Sequence, residues 1–330
     1  MNINFNPVSI KPLTKRRQIA PTLGLFFLSP LVAEYLLGNI SISAIAALPF
    51  LALMYGCGSI LIREITRRRG YGWPTMILMG LAYGILEEGL ITQSLFNPSY
   101  ANANLLSNAP IPELGISAWW TLLVLTLHTV WSTSVPIALI ESFIPNRKTT
   151  PWLGKLGIVI TSMLFVAGMT FTFYVSYAQG HFLATPTQLI STLIAIFVVI
   201  IIAFSIGHVP STLVRGDAPN PWVIGVVSLI ASSLFMIVCE YNAWGAVVFC
   251  LLLFVMMTIL FLHWSRRKGW GNTHELALAG GALLTYAWHS FIEDPVIGIT
   301  GTVDLIGNVV FSLGAVIILF LAIKSVMRSK

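Results

Sequence analysis

Residues 188–208 read QLISTLIAIFVVIIIAFSIGH, a run that contains no Asp, Glu, Lys or Arg. A helix rises about 1.5 Å per residue, so this run is long enough to cross the roughly 30 Å hydrocarbon core of a bilayer. Outward from it, nine further apolar runs of similar length alternate with polar breaks. The pattern predicts an all-α fold, a polytopic transmembrane helical bundle of about ten helices.

Composition supports the same class of protein. Apolar residues make up 56% of the 330 residues and charged residues 9%, whereas soluble domains carry about 25% charged residues. A soluble chain with so few charges would not stay dispersed, so an integral membrane protein is the class that fits. The predicted spans are residues 19–38, 43–63, 73–96, 117–140, 153–178, 188–208, 222–240, 245–264, 274–292 and 304–325.

The basic residues predict the orientation of the bundle. If residues 1–18 are cytoplasmic, all 18 Lys and Arg residues fall in loops or helix ends that face the cytoplasm, where basic segments are retained. The other five gaps contain none. We therefore predict a cytoplasmic segment 1–18, a transmembrane domain 19–325 and a cytoplasmic tail 326–330, with both termini inside. The longest outside gap, 97–116, is polar and suited to cap a cavity.

The net charge of +6 does not predict a nucleic-acid partner, because the basic clusters lack interleaved aromatic residues for base stacking. We expect membrane lipid around the bundle and the plasma membrane as its location. Cys57, Cys239 and Cys250 lie in apolar runs without CxxC spacing. They predict neither a disulfide framework nor a cysteine zinc site.

Few ionisable residues lie at membrane depth, and each is a functional candidate because an unpaired charge there is unfavourable by about 3 kcal/mol or more. They are Glu34 in the first span, Glu87 and Glu88 in the third, His128 in the fourth and His289 in the ninth. The helical rise puts the three glutamates and His289 roughly 20 to 23 Å from the inner surface, with His128 about one turn deeper. We therefore predict one layer of carboxylates and imidazoles in the outer half of the bilayer.

Helical spacing predicts the direction in which Glu88 points. Gly80, Gly84, Glu88 and Thr92 recur every four residues and share one helix face. Small residues allow a neighbouring helix to approach closely, so Glu88 should face protein. Two adjacent carboxylates at this depth cannot both stay ionised without a cation, hydrogen-bond donors or water. One member of the Glu87–Glu88 pair is therefore predicted to hold a proton and serve as a general base or acid.

Two more residues follow a histidine by four positions, Ser132 after His128 and Glu293 after His289. Imidazoles from separate helices that face the glutamate pair would bind a divalent metal such as zinc or orient a water molecule. We predict the following roles: Glu87, Glu88, His128 and His289 as catalytic residues, Glu88, His128 and His289 as metal ligands, and Glu34, Ser132 and Glu293 as secondary candidates.

The stretch GWPTMILMGLAYGILEEGL (72–90) resembles the first motif of the CAAX-protease and bacteriocin-processing superfamily, the type II CAAX prenyl endopeptidase-like proteins. That family carries EExxxR in a membrane helix, followed by FxxxH and then HxxxN or HxxxD in later helices. The resemblance implies an intramembrane hydrolase that activates water against a peptide carbonyl of a membrane peptide or lipidated substrate. It assigns the glutamate pair to Glu87 and Glu88 and the two histidines to His128 and His289.

The chain departs from the family pattern where Thr92 replaces the Arg, Val124 replaces the Phe before His128, and Glu293 replaces the Asn after His289. Two other functions therefore stay open. A transporter or proton-coupled carrier would use buried carboxylates and imidazoles as a proton relay. A non-catalytic membrane immunity or assembly factor would keep a protease-like core without turnover, and its buried glutamates and histidines would join helices through hydrogen bonds.

Overall fold

Ten long helices make up most of the structure, a computed structural model that describes residues 15–208, 213–241 and 243–329, with side chains described from residue 19 onward. The helices are α1 (Lys15–Pro30), α2 (Ile42–Arg68), α3 (Trp73–Ile91), α4 (Ala118–Phe143), α5 (Lys155–Gly180), α6 (Pro186–Gly207), α7 (Pro221–Cys239), α8 (Trp244–Ser265), α9 (Asn272–His289) and α10 (Thr302–Arg328). The predicted all-α bundle is confirmed.

Eight of the ten helices in the described ranges are long and apolar enough to cross a membrane. The two exceptions are α1, whose apolar stretch is the shorter Ile19–Tyr35, and α9. The α9 helix carries polar residues at both ends, and most of its middle is buried against other helices. It therefore needs little apolar surface for lipid, which explains its lower hydropathy.

Successive helices bring the loops to two opposite ends of the bundle. The basic end is defined by loops 69–72, 144–154, 208–220 and 266–271, and the far end by loops 36–41, 92–117, 181–185, 240–243 and 290–301. The cytoplasmic placement of the basic end stays a prediction. Residues 1–14 and 330 of the predicted cytoplasmic segments, and residues 209–212 of one basic loop, lie outside the described residues.

Short strand pairs tie loops together at each end. At the basic end β3 (Val214–Asp217) runs parallel to β4 (Arg267–Lys268). At the far end β1 (Pro110–Ile111) and β2 (Ile116–Ser117) form an antiparallel pair, and a single bridge joins Ile40 to Ile297. These pairings fix loops from distant parts of the chain against one another.

Close helix packing at the centre depends on small residues. A Cβ on Gly281 of α9 would lie only 2.5 Å from the Gly225 carbonyl oxygen of α7, so only glycine permits this approach. The Trp131 ring of α4 stacks on Tyr286 of α9, with 4.4 Å between ring centroids. The helix α9 therefore packs closely against both α4 and α7.

Buried ion pairs hold α2 to α4 near the basic end. The Glu141 carboxylate accepts from Arg63 Nε at 3.0 Å and from Arg67 Nη2 at 2.6 Å. Glu64 accepts from Arg63 Nη1 at 2.8 Å and from the Trp152 backbone N–H at 2.7 Å. The two arginines, which the sequence marks only as topology signals, are thus also buried partners of carboxylates.

The third predicted span, 73–96, is longer than the helix that forms. The helix α3 ends at Ile91 and its last turn, Glu87–Ile91, is π-helical. Gln93 then adopts a positive φ of 55°, which a continuing α-helix does not allow. The glutamate pair therefore lies in the final turn of α3, beside the far end.

Candidate functional site

Three π-helical turns carry four of the ionisable residues that the sequence marks as candidates. They are Leu31–Tyr35 with Glu34, Glu87–Ile91 with the glutamate pair, and the turn His128–Ser134, which begins at the histidine. A π-helical turn inserts an extra residue into the helical repeat, and such turns occur frequently at functional sites. The α1, α3 and α4 helices are thus all locally distorted where their charged or imidazole side chains meet.

Glycines let α3 approach α4 at this site. A Cβ on Gly84 would lie 3.1 Å from His128 Cβ, and one on Gly80 would lie 2.6 Å from Thr133 Oγ1. The predicted contact of the small-residue face of α3 with a neighbouring helix is therefore confirmed. It turns Glu88 toward His128 and away from lipid.

The Glu88 carboxylate is surrounded by partners. Its Oε1 lies 2.7 Å from His128 Nε2, and its Oε2 accepts from Thr92 Oγ1 at 2.9 Å and from the Ser94 hydroxyl. Ser94 in turn accepts from Trp120 Nε1 at 3.0 Å. Thr92 thus supplies a neutral hydrogen bond to this carboxylate.

Glu87 is less fully paired. Its Oε2 lies 3.2 Å from His128 Nδ1 and close to the Tyr83 and Tyr55 hydroxyls, but neither this oxygen nor the Tyr83 hydroxyl forms a hydrogen bond of good geometry with a described residue. Buried polar atoms without a protein partner are usually satisfied by water or an ion. The Glu87 carboxylate and Tyr83 hydroxyl together form a place where a water molecule would find an acceptor and a donor.

His128 connects the two glutamates. One ring nitrogen, Nε2, faces Glu88, and the other, Nδ1, faces both Glu87 and the Ser132 hydroxyl, the latter at 3.1 Å. Ser132, a secondary candidate in the sequence, therefore helps to orient the imidazole. A proton shared within this group can rest on either carboxylate or on the ring.

Glu34 lies next to this group and reaches it through Tyr55. The Tyr55 hydroxyl donates to Glu34 Oε1, and Asn39 Nδ2 donates to Oε2 at 2.6 Å. The Tyr55 ring stacks on His128 with 5.9 Å between ring centroids. Glu34 is thus linked to the His128 ring through Tyr55 and does not contact the ring directly.

His289 does not join the glutamate pair, which corrects the predicted four-residue cluster. It lies in a separate group with Glu240 and Glu293, at 3.5 Å from Glu240 Oε1 and 3.8 Å from Glu293 Oε2. The helical rise fixed the depth of His289 but not the side of the bundle on which α9 presents it. Glu240 follows α7 in a far-end loop, and no pattern in the sequence points to its part in this group.

The donor atoms of Glu87, Glu88 and His128 all lie within 4.8 Å of one another. Two carboxylates and one imidazole make a suitable three-ligand set for a divalent metal such as zinc. The predicted ligand set of Glu88, His128 and His289 is not assembled, because His289 belongs to the other group. A metal site at the glutamate pair would therefore have Glu87 as its third ligand in place of His289.

The site is closed to solvent in this conformation. Glu87, Glu88 and His128 are 2%, 5% and 6% exposed. Loop 92–117 at the far end covers them. Tyr100 of this loop lies close enough that burial, followed by the charges of Glu88 and Glu34, raises the pKa of its hydroxyl. This loop contains the gap 97–116 that the sequence identifies as a cap.

Comparison with curated proteins finds no match, and comparison with solved structures finds none. A sequence profile described as "Uncharacterized membrane protein family" matches residues 23–327. This match covers all ten helices apart from the start of α1 and the last residue of α10. The chain therefore belongs to this uncharacterized membrane protein family.

Proposed function

We propose that the protein is a membrane-embedded hydrolase with a site similar to that of CAAX-type intramembrane proteases, and that Glu87 is its general base. The observation that carries the proposal is Glu87 Oε2, which lies 3.2 Å from His128 Nδ1 and beside the Tyr83 hydroxyl without a hydrogen bond of good geometry to either. A base must keep a free oxygen for the water that it deprotonates. Glu88, with both oxygens engaged, is less suited to that role.

Each neighbour of Glu87 then has a distinct task. Glu88 holds the His128 ring in position from the Nε2 side, as the carboxylate of a catalytic triad orients its histidine. Water gives a proton to Glu87 as its oxygen attacks the carbonyl carbon, and the departing amine takes a proton back from the same acid–imidazole group. Tyr83 is placed to donate a hydrogen bond to the oxyanion, the task that Asn performs in the resembling family.

A divalent metal is compatible with the same residues. Bound by Glu87, Glu88 and His128, it would supply Lewis-acid activation of the attacking water. In either case the substrate reaches the site only when the far-end loop separates from α4, which breaks the Ser94–Trp120 hydrogen bond. A membrane peptide or lipidated substrate is the substrate class that the resemblance to the CAAX-type proteases implies.

The test is cleavage of membrane-embedded peptides by the full-length protein in liposomes prepared in ¹⁸O-labelled water. The masses of the products are measured by mass spectrometry. We expect one ¹⁸O atom in the new carboxyl group and a loss of about 100-fold or more in rate for Glu87→Gln, since general-base catalysis contributes roughly 10² to 10⁴. Glu113→Gln, in the exposed far-end loop, is the matched control and should cleave normally. Full turnover by Glu87→Gln, with normal folding, would remove the proposal.

The burial of the site favours a proton-coupled carrier as the second candidate. A carrier must occlude its proton site from both sides, and Glu87, Glu88 and His128 are at most 6% exposed. In that case Glu88→Gln should abolish substrate-dependent proton uptake by liposomes under a pH gradient. Proton flux that is equal in Glu88→Gln and the unaltered protein would exclude this candidate.

A further inference from the structure

His289 is a buried imidazole whose nitrogens lack ordinary partners. It is 2% exposed, yet neither Nδ1 nor Nε2 forms a hydrogen bond to any described residue. It ends α9 at the far end of the bundle, outside the Glu87 site. A buried polar side chain in this state calls for a ligand that the protein chain does not provide.

Two carboxylates approach this ring from different loops. Glu240 caps the end of α7, with Oε1 3.5 Å from His289 Nε2. Glu293 follows α9, with Oε2 3.8 Å from Nδ1. Both distances exceed those of hydrogen bonds, which run from about 2.7 to 3.2 Å. The three residues offer donor atoms that all lie within 4.8 Å of one another.

Local charge points to a cation as the missing ligand. Three acidic residues, Glu240, Glu293 and Asp294, lie in the loops after α7 and α9, so negative charge is concentrated here. None of the 18 Lys and Arg residues falls in the far-end loops, so the chain brings no lysine or arginine to these acids. A bound cation would neutralise these charges and satisfy one of the two imidazole nitrogens, and the other would keep its N–H as a donor.

We propose that Glu240, His289 and Glu293 bind a divalent cation of the zinc type at the far end of the bundle. One imidazole and two carboxylates are a zinc ligand set that leaves a fourth position for water. Mg²⁺ and Ca²⁺ prefer sites made wholly of oxygen atoms. Ligand atoms on a tetrahedral zinc lie about 3.4 Å apart, close to the present 3.5 Å between His289 Nε2 and Glu240 Oε1.

The cation would connect two elements that already meet. The helices α7 and α9 pack closely at Gly281, and the loop after α9 is joined to the loop after α1 by the Ile40–Ile297 bridge. The Glu240 and Glu293 side chains are 59% and 36% exposed. They can therefore move onto an ion that arrives from the aqueous side and close this end of the bundle.

The test is calorimetric titration of Zn²⁺ into the full-length, chelator-treated protein in detergent. Loss of a ligand should weaken Zn²⁺ binding at this site at least as much as the roughly 10- to 100-fold that follows from losing a partner of a ligand. We expect this for Glu240→Gln, Glu293→Gln and His289→Ala. Glu113→Gln, an exposed far-end glutamate, should bind Zn²⁺ as the unaltered protein does, and Mg²⁺ should not compete at equal concentration.

The glutamate pair of the proposed hydrolase site offers zinc a second location, so the titration is repeated in the Glu87→Gln/Glu88→Gln double variant. We expect this variant to retain one Zn²⁺ equivalent that disappears when His289→Ala is added. Loss of all Zn²⁺ binding in the folded double variant would overturn the proposal. Unchanged Zn²⁺ affinity in both Glu240→Gln and Glu293→Gln, which alter surface side chains and should fold, would overturn it as well.

Discussion

Buried glutamates in this bundle differ in how many of their carboxylate oxygens are engaged by a partner. Glu141 has both oxygens engaged by Arg63 and Arg67, so its charge is compensated and it acts as a structural tie. Glu87 has no arginine or lysine partner among the described residues; it lies beside the His128 ring, and its Oε2 forms no hydrogen bond of good geometry. The difference in pairing, at similar burial, separates a structural glutamate from a candidate reactive one.

The structural role of Glu141 predicts a large effect of Glu141→Gln on stability. Removing the Glu141 charge leaves buried Arg67 without a carboxylate partner and leaves Arg63 with Glu64 alone, so we expect a loss of about 3 to 5 kcal/mol in the free energy of unfolding. Denaturant unfolding in mixed micelles measures it. The matched control is Glu275→Gln, whose partner Lys148 is partly exposed; that change should cost about 1 kcal/mol or less. Equal losses in the two variants would contradict the assignment.

At the scale of elements, π-helical turns and glycines together shape the site. The turns at Glu34, Glu87–Ile91 and His128–Ser134 bend three helices where they face one another. Gly80 and Gly84 then allow α3 to lie against α4. The site is therefore a product of helix distortion and close packing, and loop 92–117 both covers it and supplies the Thr92 and Ser94 hydrogen bonds to Glu88.

Close packing predicts opposite effects for two helical glycines. Alanine is better than glycine in a helix by about 1 kcal/mol, and a Cβ on Gly314 of α10 meets no atom within 4 Å. Gly314→Ala should therefore leave the apparent melting temperature unchanged or raise it. Gly281→Ala places its Cβ 2.5 Å from a backbone oxygen of α7 and should lower stability by about 1 to 3 kcal/mol. Thermal unfolding in detergent compares them, and equal melting temperatures would refute the close contact.

At the scale of the whole molecule, charge divides the bundle into two ends. The basic end bears the loops that carry Lys and Arg, and the far end bears the proposed hydrolase site, its covering loop and the proposed cation site. Basic segments stay on the cytoplasmic side during insertion. We therefore expect both candidate sites to lie toward the non-cytoplasmic side.

This orientation is tested by labelling single cysteines with a membrane-impermeant maleimide, after replacement of the three buried native cysteines. Ala103→Cys at the far end and Thr149→Cys at the basic end are both exposed in the structure. In intact cells Ala103→Cys should react and Thr149→Cys should react only after the membrane is opened. The reverse result would place both termini outside.

The sequence by itself determined the all-α class, the number of long helices and the face of α3 that meets protein. These features depend on local quantities: the length of an apolar run, the spacing of small residues and the unfavourable energy of an unpaired charge in hydrocarbon. It also identified Glu87, Glu88 and His128, since few ionisable residues occur at membrane depth.

Tertiary structure alone decided which of these residues meet. Glu87, Glu88 and His128 come together, whereas His289, at a similar predicted depth, faces Glu240 and Glu293. Depth follows from the rise along one helix, but the position of a helix around the bundle depends on packing between distant segments, such as Trp131 on Tyr286. The early end of α3 at Ile91 and the burial of Glu64 and Glu141 likewise depend on such contacts, which hydropathy does not record.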